Sequence, residues 1–284
     1  MKYQTFFITL FSLLIINRIE LIADTSSKNF PKSIVSLSPI VTENIYLLEA
    51  EDRLVANTIY CVKPEKAKYI RKIGTLVEVN LEKLITLKPD LVIATELAKP
   101  NQLKMIEKFG IKVVQFSRAK CFDDICKQFH ELACLIGQGK KALEIITKEK
   151  KIAEKYYSIT QKIDKKRIFF QIGARPIHTV NTDSFINDYI RFSGGINIAL
   201  NESSGIYSRE KVIKLNPEFI FITTMGIIGE KEKQTWMKFS SIDAVKNHRI
   251  YILNSEEICA VTPVSFIRAL KNIAAIIHPD VFTN

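Results

Sequence analysis

Five cysteines, four histidines and a matched pair of glutamates are the residues of this chain whose types and spacing could do chemistry. The cysteines are Cys61, Cys121, Cys126, Cys134 and Cys259. An odd number leaves at least one thiol without a partner in the chain, and the spacing does not give the pairing. None forms a CxxC, and no histidine stands at zinc-finger distance, so no structural zinc site is expected. His130, His178, His248 and His278 show no metal-ligand spacing. Cys126 and Cys134 share a helical pattern with Ile125, Phe129, Leu132, Ala133 and Ile136, which reads as core thiols. GxSxG, HExxH, Walker A and GxGxxG are all missing, and Ser193-Gly194-Gly195 reads as a helix end plus a turn. No catalytic residue, metal site or cofactor is assigned on these grounds.

The glutamates belong to an internal echo. Residues 82–95, EKLITLKPDLVIAT, align without a gap to residues 210–223, EKVIKLNPEFIFIT. Six positions are identical: Glu82/Glu210, Lys83/Lys211, Ile85/Ile213, Leu87/Leu215, Pro89/Pro217 and Thr95/Thr223; Asp90/Glu218 keeps its charge. Two copies 128 residues apart imply two lobes of similar build. In each copy a short amphipathic helix is stopped by proline, which lacks the amide hydrogen and restricts the residue before it. Continuous apolar runs follow, at 91–94 and 219–222, as in strands buried on both faces of a parallel sheet.

Other elements must carry these segments. Residues 33–37 and 112–116 read as strands of the first lobe; 167–172 and 249–253 read as strands of the second, and 263–277 as its final helix. Gly110 sits where a helix C-cap is expected. Residues 138–164 place Ala142, Ile145, Ile152, Tyr156, Ile159 and Ile163 on a helical period broken once, at Glu149. About 25 residues at 1.5 Å each predict one helix of roughly 37 Å joining the lobes and restricting hinge motion. The expected fold is α/β: two Rossmann-like α/β/α lobes, residues 31–137 and 165–284, with the bridging helix at 138–164.

The first residues form a separate signal. Lys2 precedes an apolar run at 6–16, Arg18 and Glu20 interrupt it, and Ala23 follows. The run is too short to span a bilayer and suits a signal peptide over 1–23, so the mature chain is expected in the periplasm. No cysteine follows the run to take a lipid anchor. The 284-residue chain carries a net charge of +11, which raises a nucleic-acid partner. Its lysines are dispersed and interleaved with glutamate, as in KEKKIAEK at 148–155, a solvated helix face without aromatic stacking positions. No nucleic-acid partner is therefore expected. An exported hydrolase-like α/β enzyme with an unrecognised active site remains the alternative to a binding protein.

Four stretches together resemble the periplasmic solute-binding proteins of ABC importers for metal chelates: residues 34–58, 73–94, 208–223 and 236–253. The likeness spans nearly all of 31–278 and is nearest the cobalamin-binding branch, through Asn80-Leu81-Glu82 and Ser208-Arg209-Glu210. It implies a class III binding protein of the helical-backbone metal-receptor type, monomeric and not an enzyme. It also implies a corrinoid, haem or ferric siderophore as transported ligand, and an ABC permease dimer engaged through Glu82 and Glu210. Exposed acids on two like lobes suit a two-fold permease.

Ligands of open α/β lobes lie beyond the carboxyl ends of the strands, here the cleft between lobes. The loops so placed give Ser38, Pro39, Tyr60, Cys61, Thr95, Arg175, Glu256, Glu257 and Cys259 as ligand-binding candidates. By resemblance, Tyr60 matches a ring-stacking aromatic and Glu256 an acidic cleft position. Arg175 could pair with a carboxylate or catecholate. His178 and Cys259 could contact a metal centre, and Trp236 reads as a packing residue. Leu76 and Ala260 stand where the cobalamin branch carries tryptophan and arginine, so a nickel chelate or a corrinoid other than cobalamin also remains open.

Overall fold

The computed structural model describes residues 30–201, 204–223 and 227–282. The expected signal peptide at 1–23 lies outside the described residues. Pro31–Asn284 forms one compact unit.

The first half is a parallel βα arrangement. β1 (Ile34–Ser36) leads through α1 (Pro39–Leu47) to β2 (Leu54–Asn57). Then come α2 (Leu81–Leu87), β3 (Leu91–Thr95), α3 (Pro100–Lys108) and β4 (Lys112–Phe116). The sheet order is β2-β1-β3-β4, with Ile34 opposite Leu91. Leu91 and Ile93 enter one core with Ile45 and Phe129, while Val92 and Ala94 enter another with Leu84 and Ile106. Successive side chains of a strand point to opposite faces, so an apolar run needs apolar layers on both sides.

α4 (Phe122–Leu135) and α5 (Gly139–Thr160) connect the halves. α5 has 22 residues and ends four residues before the expected 164. Ser158 Oγ donates to the Lys155 carbonyl and Thr160 Oγ1 to the Tyr157 carbonyl. These hydroxyls share carbonyls of the last turn, where Gln161 N still bonds the Tyr157 carbonyl and Lys162 N turns back to the Ile159 carbonyl in a tighter turn that ends the helix. Glu149, the break in its apolar pattern, is buried, and burial pushes its carboxyl pKa up against the pull of Lys148 and Lys271.

The second half begins with β5 (Lys166–Ala174) and β6 (Ile177–Thr179). α6 (Ile186–Phe192), β7 (Gly195–Asn197), β8 (Ile206–Tyr207), α7 (Arg209–Leu215) and β9 (Phe219–Ile222) follow. α8 (Ile227–Met237), α9 (Asp243–Lys246), β10 (Ile250–Ile252), α10 (Ser255–Cys259) and α11 (Pro263–Ile277) complete it. β7 and β9 run parallel to β5, and β10 to β9, whereas β6 is antiparallel to both its neighbours, β5 and β8. A connection as short as Arg175-Pro176 can only return the chain antiparallel, so the second sheet is mixed.

The two copies of the echo fold alike. Asn80 Oδ1 accepts from Lys83 N at 2.9 Å, and Ser208 Oγ accepts from Lys211 N at 3.2 Å, each capping the helix that carries a matched glutamate. Both helices end on a left-handed residue, Lys88 (φ 44°) and Asn216 (φ 45°), directly before the proline. The paired acids have a structural role. Asp90 Oδ2 accepts from Lys32 N at 2.7 Å and Ser33 N at 2.9 Å, and Glu218 Oε2 accepts from Arg167 N at 3.0 Å. Each acid thus ties its own strand to the start of the neighbouring one. Those amide bonds hold the Asp90 carboxyl below its ordinary pKa.

α4 also packs into the second half. Phe122 stacks on Phe266 of α11 at 4.3 Å, and Phe266 stacks on Tyr189 of α6 at 4.4 Å. One core therefore holds Phe122, Ile125 and Cys126 together with Phe170, Phe221 and Phe266.

Candidate functional site

A cavity of about 490 Å³ opens at the carboxyl ends of β1, β3 and β4. Both halves of the chain line it. Ser38, Pro39 and Asn44 come from the start of α1; Thr95, Glu96 and Leu97 follow β3; Ser117 and Arg118 follow β4; Ile125, Gln128 and Leu132 lie on α4. From the second half come Ile172, Ser184–Ile186 and Cys259–Val261. The wall is mainly apolar, and its charged members, Glu96 and Arg118, are exposed.

Local bonds hold these segments in place. Thr42 Oγ1 donates to Ser36 Oγ at 2.8 Å, and Ser36 Oγ donates to the Ser38 carbonyl at 2.9 Å, fixing the loop before Pro39. Pro39 then opens α1, where its missing amide hydrogen is not needed. Across the cavity, Thr262 and Ser265 form a capping box that starts α11 and fixes Cys259–Val261. Cys259 is accessible. The protein packed around it nevertheless pushes its thiol pKa up, against the pull of Thr223 and Arg118.

The predicted residues divide. Ser38, Pro39, Thr95 and Cys259 line the cavity. Tyr60 is exposed but is not in its wall. Cys61 needs correction: it is fully buried, with Sγ 3.2 Å from Thr58 Oγ1, so packing rather than the cleft accounts for it. Arg175 turns out to sit in the β5–β6 hairpin turn, not on a loop opening onto the cavity. Glu256 and Glu257 lie on α10 outside the wall, and Glu256 pairs with Lys63 at 3.1 Å, a link from one half to the other. Beside that pair, burial raises the Glu43 carboxyl pKa, opposed by Lys63 and Arg268 and reinforced by Glu256.

Leu76 and Ala260, the two departures from the cobalamin branch, both line the cavity. His178 is exposed on β6 and packs against Gly173. Trp236 is core, as expected, and donates through Nε1 to Gln171 Oε1 at 2.7 Å. Cys126 is core, but Cys134 is exposed, 3.7 Å from His130 Nε2. All five cysteines are free. Among the described residues no group of three or more His, Cys, Asp or Glu is placed to hold a metal ion, and no helix is long and apolar enough to cross a membrane. Arg118 was legible in principle, since strand β4 ends just before it, and Ser184 closes the polar turn cluster at 181–184, but Asn44 and Gln128 lie on helix faces and carried no loop signal.

Glu82 and Glu210 are exposed in the first turns of α2 and α7. Residues 34–257 match the model of the periplasmic binding protein family. The chain belongs to that family. This periplasmic binding protein is 32% identical over 270 residues to an uncharacterized ABC transporter substrate-binding lipoprotein of Bacillus subtilis (strain 168), covering 91% of the chain and 84% of the relative. It is 30% identical over 259 residues to a vitamin B12-binding protein of Vibrio vulnificus (strain YJ016), covering 90% and 92%. The crystal structure of a possible iron-binding, periplasmic solute-binding protein from Staphylococcus epidermidis superposes with a TM-score of 0.77 at 26% identity, covering 87% of this chain and 99% of that one. The class III α/β fold expected of the chain is the fold it has.

Proposed function

We propose that this periplasmic binding protein captures a metal chelate in the cavity and delivers it to the permease of an ABC importer. The chelate is a corrinoid, a haem or a ferric siderophore. The carrying observation is the cavity itself: about 490 Å³, mainly apolar, lined from both halves and set at strand carboxyl ends. That volume falls in the range of about 300–1,000 Å³ typical of small-molecule sites. The relatives named for vitamin B12 and iron support the ligand class.

In this reading residues 31–137 and 165–284 are the two lobes, with the helix within 138–164 as their bridge. Ser38, Pro39, Thr95 and Cys259 contact the chelate. Residues 1–23 export the chain, which works as a monomer in the periplasm and performs no catalysis. Glu82 and Glu210 dock the two lobes on the permease. Their equivalent capped helices support that role, because like geometry on two lobes can meet a two-fold partner at both sites. The double variant Glu82→Lys/Glu210→Lys tests it. Uptake by cells should be abolished while chelate affinity of the purified protein is unchanged. Normal uptake by the variant would sink the docking assignment.

A further inference from the structure

Arg118 is a cation in the cavity wall whose backbone is fixed and whose head is free. The chain on both sides of it is pinned. Gln128 Nε2 donates to the Ser117 carbonyl at 2.9 Å, and Lys120 N donates to Asp124 Oδ2 at 2.9 Å. The Arg118 guanidinium itself forms no hydrogen bond or ion pair with any described residue. It reaches toward the opposite half, because it stands close enough to Cys259 to oppose the rise in that thiol's pKa.

Several other arginines have structural partners. Arg53 donates to the Ile136 carbonyl, and Arg167, Arg191 and Arg209 pair with Asp243, Asp188 and Glu232. Only ten of the 41 basic residues are arginine, yet the cation of the cavity wall is one of them. A solvated surface cation gains nothing from guanidinium over ammonium, whereas a planar fork of donors meets a carboxylate at two points. Asn44 adds a neutral donor: its Oδ1 is buried, and its Nδ2 is the end the cavity reaches. Glu96, the acid of the wall, follows β3 beside β4 and is not ion-paired with Arg118.

We propose that Arg118 anchors a carboxylate at the periphery of the bound chelate, with Asn44 Nδ2 as a second donor to the same ligand. This rests on the reading of the cavity as the ligand site. It narrows the ligand to an anionic chelate, either a macrocycle with free carboxylates or a carboxylate-type ferric siderophore. The ligand's carboxylate replaces water on the guanidinium. The apolar wall and the seated chelate keep further water away, so the pair gains strength from the lowered local dielectric. A chelate with an uncharged periphery would instead strip water from the guanidinium and leave it unpaired, which opposes binding. Discrimination is strong where a site is built to bond a group that the wrong ligand lacks. The charge of Glu96 works against the anion, and its removal therefore has the opposite sign to loss of Arg118.

The test uses the full mature chain and two matched pairs of probes. Hemin and hemin dimethyl ester share ring and metal and differ in their free carboxylates; a carboxylate-type ferric siderophore is set against a neutral ferric hydroxamate. In the pair that binds, the carboxylate member should bind about tenfold tighter, the worth of one charge-assisted hydrogen bond. Arg118→Ala should remove that preference and change the affinity for the uncharged member less than about twofold. Arg118→Lys should restore only part of it, because an ammonium lacks the fork. Glu96→Gln should tighten binding of the carboxylate member, and added KCl should weaken it. The melting temperature of ligand-free Arg118→Ala should be unchanged, since its guanidinium has no partner to lose; a drop would mark a structural role and overturn the inference. Equal binding of both members by the wild type would overturn it, as would equal losses for both in Arg118→Ala, which would indicate shape rather than charge. A wild-type protein that binds only the uncharged members, or cyanocobalamin alone, would overturn it and leave the cavity reading standing. Binding of none of these chelates would remove the cavity reading and the inference with it.

Discussion

Asp188→Ala should cost about 2–4 kcal/mol of stability, although Asp188 lies outside the cavity wall. Asp188 is 6% exposed on α6, and its Oδ2 accepts from Phe122 N at 2.8 Å. Phe122 is the first residue of α4, and Cys121 before it supplies no side-chain cap. Its amide is one of the donors that a helix start cannot satisfy internally. A hydrogen bond to a charged group contributes about 1.5–3 kcal/mol, and a carboxylate at a helix N-terminus adds about 0.3–1 kcal/mol. Asp188 Oδ1 also accepts from Arg191 Nη2 at 2.9 Å, but that guanidinium is 51% exposed. Such a pair is worth less than about 1 kcal/mol. Asp188→Asn keeps an acceptor and loses the charge, so it should cost about half as much as Asp188→Ala. Arg191→Ala should cost least. Urea unfolding at pH 7 with an unchanged slope would measure all three. A cost below about 1 kcal/mol for Asp188→Ala, or a larger cost for Arg191→Ala, would refute the capping argument. Because α4 carries Ile125, Gln128 and Leu132 of the cavity wall, the same variant should also weaken chelate binding.

Further outcomes follow from buried groups elsewhere. Burial lowers the pKa of His278, against the pull of a Gly194 backbone bond, and its Nε2 is unpaired. A base whose folded pKa lies below its unfolded value contributes stability above the unfolded value of about 6.5, and loses it as pH falls through the lowered value. The melting temperature should therefore fall more steeply between pH 7.5 and 5 in the wild type than in His278→Gln; equal slopes would contradict this. Gln171 accepts from Trp236 Nε1 and donates to Glu232 Oε2 at 3.0 Å, while Arg209 completes the network by bonding Glu232 and covering the Trp236 ring. Gln171→Leu should cost about 2–4 kcal/mol, because it leaves a buried indole N–H and one carboxylate bond unmet. Urea unfolding would show it, and a loss under about 1 kcal/mol would argue against the network.

What was legible in the sequence was local. The repeated Glu-Lys-x-Ile-x-Leu-x-Pro segment gave α2 and α7, and the apolar runs after it gave β3 and β9, because period and breaker residues act within a few positions. The role of Asp90 and Glu218 was not legible. Asp90 bonds amides 57 and 58 residues away, and only the sheet brings them together. β6 and β8 have three and two residues, too few to show a period, so the mixed second sheet emerged only in the structure. In the cavity, Ser38, Thr95 and Cys259 were found because strand and helix ends mark them. Asn44 and Gln128 were missed because they lie on helix faces whose exposure depends on packing from the other half. Cys61 was misplaced for the converse reason: its loop position suggested access, and the fold buries it.

The central claim, that the cavity holds one metal chelate, is tested most directly by native mass spectrometry of the purified mature chain. The protein would be presented with cyanocobalamin, hemin and a set of ferric siderophores in competition. A saturable one-to-one complex with a single chelate class is predicted, with absorbance changes tracking its formation and no conversion of the ligand. No complex with any of them, or chemical turnover of a bound one, would contradict the account.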